Sequence, residues 1–363
     1  MSERDTRRAR TTIPPASGEP AETSYDELLL AATAARRFYL DHVSKVEIAQ
    51  ELGVSRFKVA RLLELAHARG IVRIDIAFPT DTDPRLAAAL CERFGLEHAV
   101  VVNPPGADPG GPEPFTDLLA QPAARLVTDL LGEDDVLGLA WGRAVTAVTH
   151  ALTRLPPCAV VQITGVHPPT AINDQTVRAV HRAAALAQGP AHPLYVPLVL
   201  PNALTAHVLR HQPGIAAVLG RFPTVTTAVV AIGAWGPGLS TVHDALEEDE
   251  RDHCAALGTV AEMASHLFDA EGGLVDAGLD ERTVAISAGQ LHAVPRVIGV
   301  AGGRHKARAV LAVLRSGLLT GIVTDAHTAR RALEESPPVP VAPRSRAHGR
   351  AGPPDRSPVR VRP

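Results

Sequence analysis

From about residue 80 to 335 the chain repeats one pattern: a short run of Val, Ile, Leu and Ala, then a glycine, then a stretch of helical periodicity. VLGLAWG (136–142) leads into a helix through Leu152, AVVQITG (159–165) leads toward a helix containing Val177, Val180 and Ala184, and TTAVVAIG (226–233) ends at Gly233. VPRVIGVAGG (294–303) is followed by HKARAVLAVLRSG, and GIVTD (321–325) by HTARRALEE. Strands that are apolar at every position are buried on both faces, and the intervening helices are what covers them. The pattern predicts an α/β domain with a mostly parallel sheet.

Ahead of it, residues 44–63 (SKVEIAQELGVSRFKVARLL) read as two short helices joined at Gly53, where a tight turn needs a permissive backbone. Ile48, Ala49 and Leu52 share one apolar face of the first helix. Ser55 is placed to cap the second, in which Val59, Leu62, Leu63 and Ala66 form an apolar face. Phe57, Lys58, Ala60 and Arg61 fall opposite, Arg56 projects from the first turn, and no acid stands between Gly53 and Leu63. A recognition helix reads base edges from its N-terminal residues, with Arg and Lys donating to guanine or phosphate oxygens. Lys45, Ser55, Arg56, Phe57, Lys58 and Arg61 are therefore the candidate contacts to double-stranded DNA. The same pattern also fits an ordinary helical hairpin with a solvated charged face. Its flanks favour DNA: Leu28 to Leu40 reads as a supporting helix, and after Gly70 the alternation of Val72, Ile74 and Ile76 reads as a strand ended by Pro79, which suggests a winged helix-turn-helix domain over 25–79.

A net charge of −3 confines any nucleic-acid contact to such a local patch. Cys91, Cys158 and Cys254 are too few and too far apart for a disulfide framework or a zinc cluster. No apolar run reaches the ~18–20 residues that span a bilayer, and the polar N-terminus has no signal core, so a cytoplasmic protein is expected. Residues 1–24 and the Pro/Arg-rich 336–363 lack apolar periodicity and are expected to be disordered tails; Asn103 to Pro114 is expected to be a long loop.

In open α/β sheets, ligands collect beyond the carboxyl ends of the strands, where helix N-termini present unpaired N–H groups. Gly142, Gly165, Gly233 and the pair Gly302–Gly303 close four strands at that edge, Arg143 follows Gly142, and Lys306 stands three residues past Gly303. These residues suit an anion site, although turn glycines beside solvent-facing cations would look the same. Neither a G-x-G-x-x-G nor a Walker motif is present, so no nucleotide cofactor is expected. His207 and His211 have the i, i+4 spacing of metal ligands but no HExxH glutamate and no evident third ligand. In FDAEGG, Asp269 or Glu271 could accept hydrogen bonds from sugar hydroxyls, or Asp269 could simply start a turn. No nucleophile can be named.

Over residues 28–335 the chain resembles the SorC family of sugar-binding transcriptional regulators. The likeness lies in EIAQELGVSRFKVARLLELAHARGIVRIDI for the head, and in VLGLAWGRAV, AIGAWG, HLFDAEG and VPRVIGVAGGRHKARAVLAVLRSGLLTGIVTDAHTARRAL for the domain at 80–335. The resemblance implies a bacterial regulator that is not an enzyme. It implies a Rossmann-like, sugar-phosphate-isomerase-like effector domain that binds a phosphorylated sugar or related metabolite, and a homo-oligomer, dimer or tetramer. It implicates Gly142, Asp269, Gly302, Gly303 and Lys306 in effector binding, with Arg143 and Gly165 as neighbours at the same edge. Two departures fall there: Arg143-Ala144-Val145 stands where the family often has a Thr-containing phosphate loop, and Val166-His167-Pro168-Pro169 where it often has a further Gly. Arg143 could replace the lost hydroxyl with a charge-assisted contact. The competing expectation is a sugar-phosphate isomerase or deaminase with an appended helical domain.

Overall fold

The computed structural model describes residues 25–41, 43–72, 81–104, 115–166 and 175–336. The expected wing strand, the 103–114 loop and both tails lie wholly or mostly outside these residues. The chain divides into two compact units, Met1–Phe78 and Pro79–Pro363.

In the first unit, α1 (Tyr25–Tyr39), α2 (Lys45–Glu51) and α3 (Arg56–Ala68) enclose a small core. Alanines 31, 34 and 35 of α1 let Ile48 of α2 and Val59, Leu62 and Leu63 of α3 approach closely, and all of these are buried. Ser44 and Glu47 form a reciprocal capping box at the start of α2. Gly53 turns the chain at φ 64°, and the Ser55 hydroxyl accepts the Lys58 amide to start α3.

In chain order, the second unit begins with α4 (Pro84–Phe94), β1 (His98–Val102), α5 (Phe115–Leu130), β2 (Val136–Leu139), α6 (Arg143–Ala151), β3 (Ala159–Gln162), α7 (Gln175–Ala187) and β4 (Ala191–His192). There follow α8 (Ala203–Arg210), α9 (Pro213–Leu219), β5 (Thr227–Ala234), α10 (Thr241–Ala245), α11 (Glu248–Ala256), β6 (Ala261–Met263) and β7 (His266–Phe268). The unit closes with α12 (Ala288–Ala293), β8 (Arg296–Val300), α13 (Ala307–Arg315), β9 (Gly321–Asp325) and α14 (Ala326–Glu334). The strands run in the order β1-β9-β8-β5-β2-β3-β4, all parallel, while β6 pairs antiparallel with the end of β5 and β7 with β6.

Neighbouring strand residues feed two different cores. Val161, Val230, Val297 and Ile322 face α13, α14 and α4 in one. Val160, Val229, Ile298 and Val323 face α5, α6 and α7 in the other. This two-sided burial is why the strands are apolar throughout. The result is a three-layer, Rossmann-like α/β unit. From β2 the chain proceeds to β3 and β4 on one side, whereas β5 lies on the other, so the topological switch falls between β2 and β5. Among the described residues no helix is long and apolar enough to cross a membrane.

Candidate functional site

At the carboxyl end of β2, Gly142 adopts φ 148°, and a Cβ there would lie 2.8 Å from the Ala231 side chain on β5. Only glycine fits. It caps α6 without any side chain, so the first-turn amides of that helix face the switch crevice with the partial positive charge of a helix N-terminus. The Trp141 amide donates to the Thr164 hydroxyl at 2.6 Å, tying the ends of β2 and β3 together. Arg143, the first residue of α6, is exposed, and its guanidinium donates to the Gly238 carbonyl.

Lys306 enters from the other side of the switch. Gly302 and Gly303 shape its approach: a Cβ on Gly302 would meet the Asp325 carboxylate at 2.7 Å, and Gly303 turns at φ 96°. Buried Asp325 accepts the Gly303 amide at 2.7 Å and the Thr328 hydroxyl at 2.6 Å while capping α14. The Gly303 N–H is thereby engaged by Asp325. The Lys306 ammonium donates to the Ile232 carbonyl at the end of β5, at 2.8 Å. Burial lowers its pKa, the Arg143 charge lowers it further, and Glu262 opposes both.

Glu262, on β6, is the carboxylate of this site. It is 7% exposed, accepts the Ser265 amide at 3.0 Å and the Ser240 hydroxyl at 3.4 Å, and interacts with the Lys306 charge. Burial pushes its pKa up to about 7, against the lowering effects of the Ser265 amide, Lys306 and Ser240. Gly233 makes room: a Cβ there would lie 3.0 Å from the Glu262 carboxylate. Two cations, an uncapped helix and a buried carboxyl near its titration midpoint can hold an anion at one end and ligand hydroxyls at the other.

Two of the residues singled out from sequence are placed otherwise. The Asp269 carboxylate closes its own turn, accepting the Gly273 and Glu271 amides at 2.7 and 3.0 Å. That turn packs on Arg315 and Ser316, where Arg315 donates to the Ala270 carbonyl at 2.8 Å. Lys306 is at the opposite end of α13, about 13 Å away at 1.5 Å rise per residue. Gly165 is packed inside: its amide donates to Val284 at 2.7 Å, and a Cβ would strike the Val196 carbonyl. The sequence signal for Glu262 was a lone acid between Ala261 and Met263, apolar neighbours that mark a buried strand.

On α3, Arg56, Phe57 and Arg61 are exposed, Phe57 by 84%. Lys58 is half-buried and paired with Glu27 of α1, and Lys45 lies 5.3 Å over the Phe38 ring. Both lysines are thus engaged within their own unit. His207 and His211 lie with ring centroids 4.3 Å apart and planes tilted by 43°, but among the described residues no group of three or more His, Cys, Asp or Glu is placed to hold a metal.

A sequence model of the sugar-binding domain family ("Putative sugar-binding domain") matches residues 80–334, well over half of the chain. The chain belongs to the SorC family of sugar-binding transcriptional regulators. This SorC-family chain is similar to the sorbitol operon regulator of Klebsiella pneumoniae, 27% identical over 85% of this chain and 99% of that one. It is also similar to the deoxyribonucleoside regulator of Bacillus subtilis, 25% identical over 83% of this chain and 96% of that one. The crystal structure of the full-length Klebsiella regulator superposes with a TM-score of 0.63 at 27% identity, again covering 85% and 99% of the two chains. These relatives are transcriptional regulators and not enzymes, which removes the isomerase alternative for this SorC-family chain.

Proposed function

We propose that this regulator binds operator DNA through Arg56, Phe57 and Arg61 of α3, and that a small phosphorylated carbohydrate bound at the β2–β5 switch changes its operator affinity. The observation that carries the reading is the uncapped N-terminus of α6 at Gly142, flanked by Arg143 and Lys306 and accompanied by buried Glu262. The anionic group sits on the α6 amides between the two cations, and Glu262 accepts from hydroxyls further along the ligand. Ligand contacts made differently in two states of the protein, at a typical coupling of about 1–3 kcal/mol, change DNA affinity about 5–150-fold.

The test is footprinting on the DNA upstream of its own coding sequence, with and without a panel of free and phosphorylated sugars. Protection of a discrete site, altered by a phosphorylated member and weakened by Arg56→Ala with Arg61→Ala, is the expected result. Specific protection that survives the double substitution removes α3 as the reading element, and a response to unphosphorylated sugars alone removes the anion assignment.

A further inference from the structure

A second opening lies apart from Lys306, behind the β6–β7 turn. It is a cleft of about 290 Å³ between α8, α9, the 280–287 segment and the start of α12, at the small end of ligand-pocket sizes. Its polar groups are incompletely matched. Ser265 lines it at 2% exposure, and the Ser265 hydroxyl has no hydrogen-bond partner. His266, also buried, places Nε2 2.9 Å from the Ile286 carbonyl. A carbonyl only accepts, so Nε2 carries the hydrogen in this bond. Nδ1 faces the Asp280 carboxylate across 3.9 Å, and that carboxylate is largely open to solvent at the rim of the cleft. Arg210 supplies the cleft's guanidinium, which donates to the Asp280 and Thr283 carbonyls. The wall is apolar and includes Phe222 and Ile286.

An unpartnered buried hydroxyl at Ser265 and a carboxylate at the rim call for a ligand whose hydroxyls both donate and accept. A cation already committed to carbonyls, with a carboxylate at the rim, disfavours an anion. Phe222 suits the C–H face of such a molecule. We propose that this cleft is a second small-molecule site, selective for an uncharged polyol such as an unphosphorylated sugar alcohol, and that Ser265 links it to the Glu262–Lys306 site. The link is one residue long. The Ser265 amide donates to the Glu262 carboxylate at 3.0 Å while its side chain lines the cleft, and Ala264 and Ser265 hold this turn at φ 51° and 68°. Occupancy of the cleft therefore orders the group that orients Glu262; this coupling rests on the reading of the Lys306 site given above, whereas the cleft's own binding does not.

The experiment is isothermal titration of the full chain with ribitol and with ribitol 5-phosphate. Ribitol is expected to bind, with affinity reduced about tenfold by Asp280→Asn and by Ser265→Gly, a loss of ~1.4 kcal/mol for one hydrogen bond each. Glycine suits the positive φ and keeps the amide, so Ser265→Gly tests the hydroxyl without straining the turn. Ribitol binding is expected to persist in Lys306→Ala. Absence of binding at roughly 10 mM ribitol, indifference to both cleft substitutions, or loss of ribitol binding in Lys306→Ala would each overturn the second site. Failure of the phosphorylated compound alone would count only against the Lys306 reading.

Discussion

Lys58 of the exposed helix α3 is held in an ion pair by Glu27 of α1, each side chain about two-fifths exposed. Lys58 and, at longer range, Arg61 draw the Glu27 pKa below its usual value. The acid that sequence spacing could not associate with α3 thus sits beside its cations, and in the proposed operator complex it would compete with DNA phosphates for them.

Glu27→Gln is accordingly expected to raise operator affinity about three- to tenfold at low salt and to steepen the log–log salt dependence by about one counterion. Exposed pairs contribute little stability, so the melting temperature should hardly move. Salt-dependent binding measured by anisotropy checks this; an unchanged slope would show that Lys58 stays with α1 in a purely structural role.

Glu262 gives the molecule a pH dependence. Its pKa is raised in the folded chain, to about 7 from an ordinary 4.5, so the neutral acid is favoured by folding. The stability tied to it is fully present below the unfolded pKa and is lost as pH rises through about 7, a change on the order of 3 kcal/mol across that window. Thermal melts of the wild type should fall between about pH 4.5 and 7 and level off above that range, whereas Glu262→Gln should flatten that segment of the profile. Lys306 and Arg143 are the charges that act on this part of the site and must be unchanged in the comparison.

Lys306→Met is expected to reduce affinity for a phosphorylated sugar on the order of tenfold to a hundredfold, because the cation is partly buried and poorly replaced by water. Arg143→Ala should cost less, about two- to fivefold, since its guanidinium is exposed and screened. Calorimetric titration of both variants against the same ligand ranks them; equal losses would place the anion nearer Arg143 than the geometry of α6 implies.

Gly142→Ala is expected to destabilise the chain by about 1–3 kcal/mol through its positive φ, with the clash against Ala231 adding to it. Denaturant unfolding provides the measurement. A variant of wild-type stability would mean that the β2–α6 junction relaxes, and the uncapped helix would then lose its significance as a rigid anion seat.

The parallel sheet was legible because burial on both faces leaves strands without polar alternation, as in Val229–Val230 and Val297–Ile298, which supply opposite cores. The capped, glycine-turned hairpin was equally legible, since Ser44, Gly53 and Ser55 act within a few residues of themselves. Gly142 and Lys306 were found because strand ends and helix starts are local signals, and their meeting follows from β5 lying between β2 and β8.

Local chemistry could not choose the carboxylate. Asp269 and Glu262 are seven residues apart, and FDAEGG has the stronger turn signature. The β6–β7 hairpin separates them: it pairs β6 with the end of β5, bringing Glu262 to Lys306, and places the Asp269 turn at the far end of α13. The same holds for Lys58, whose partner is 31 residues earlier in the chain. Sequence by itself determined the elements, their burial and the glycines that permit close approach, because these depend on neighbours along the chain. Tertiary structure alone decided which charges meet, because a carboxylate's partner and pKa depend on strand order, helix packing and exclusion of water.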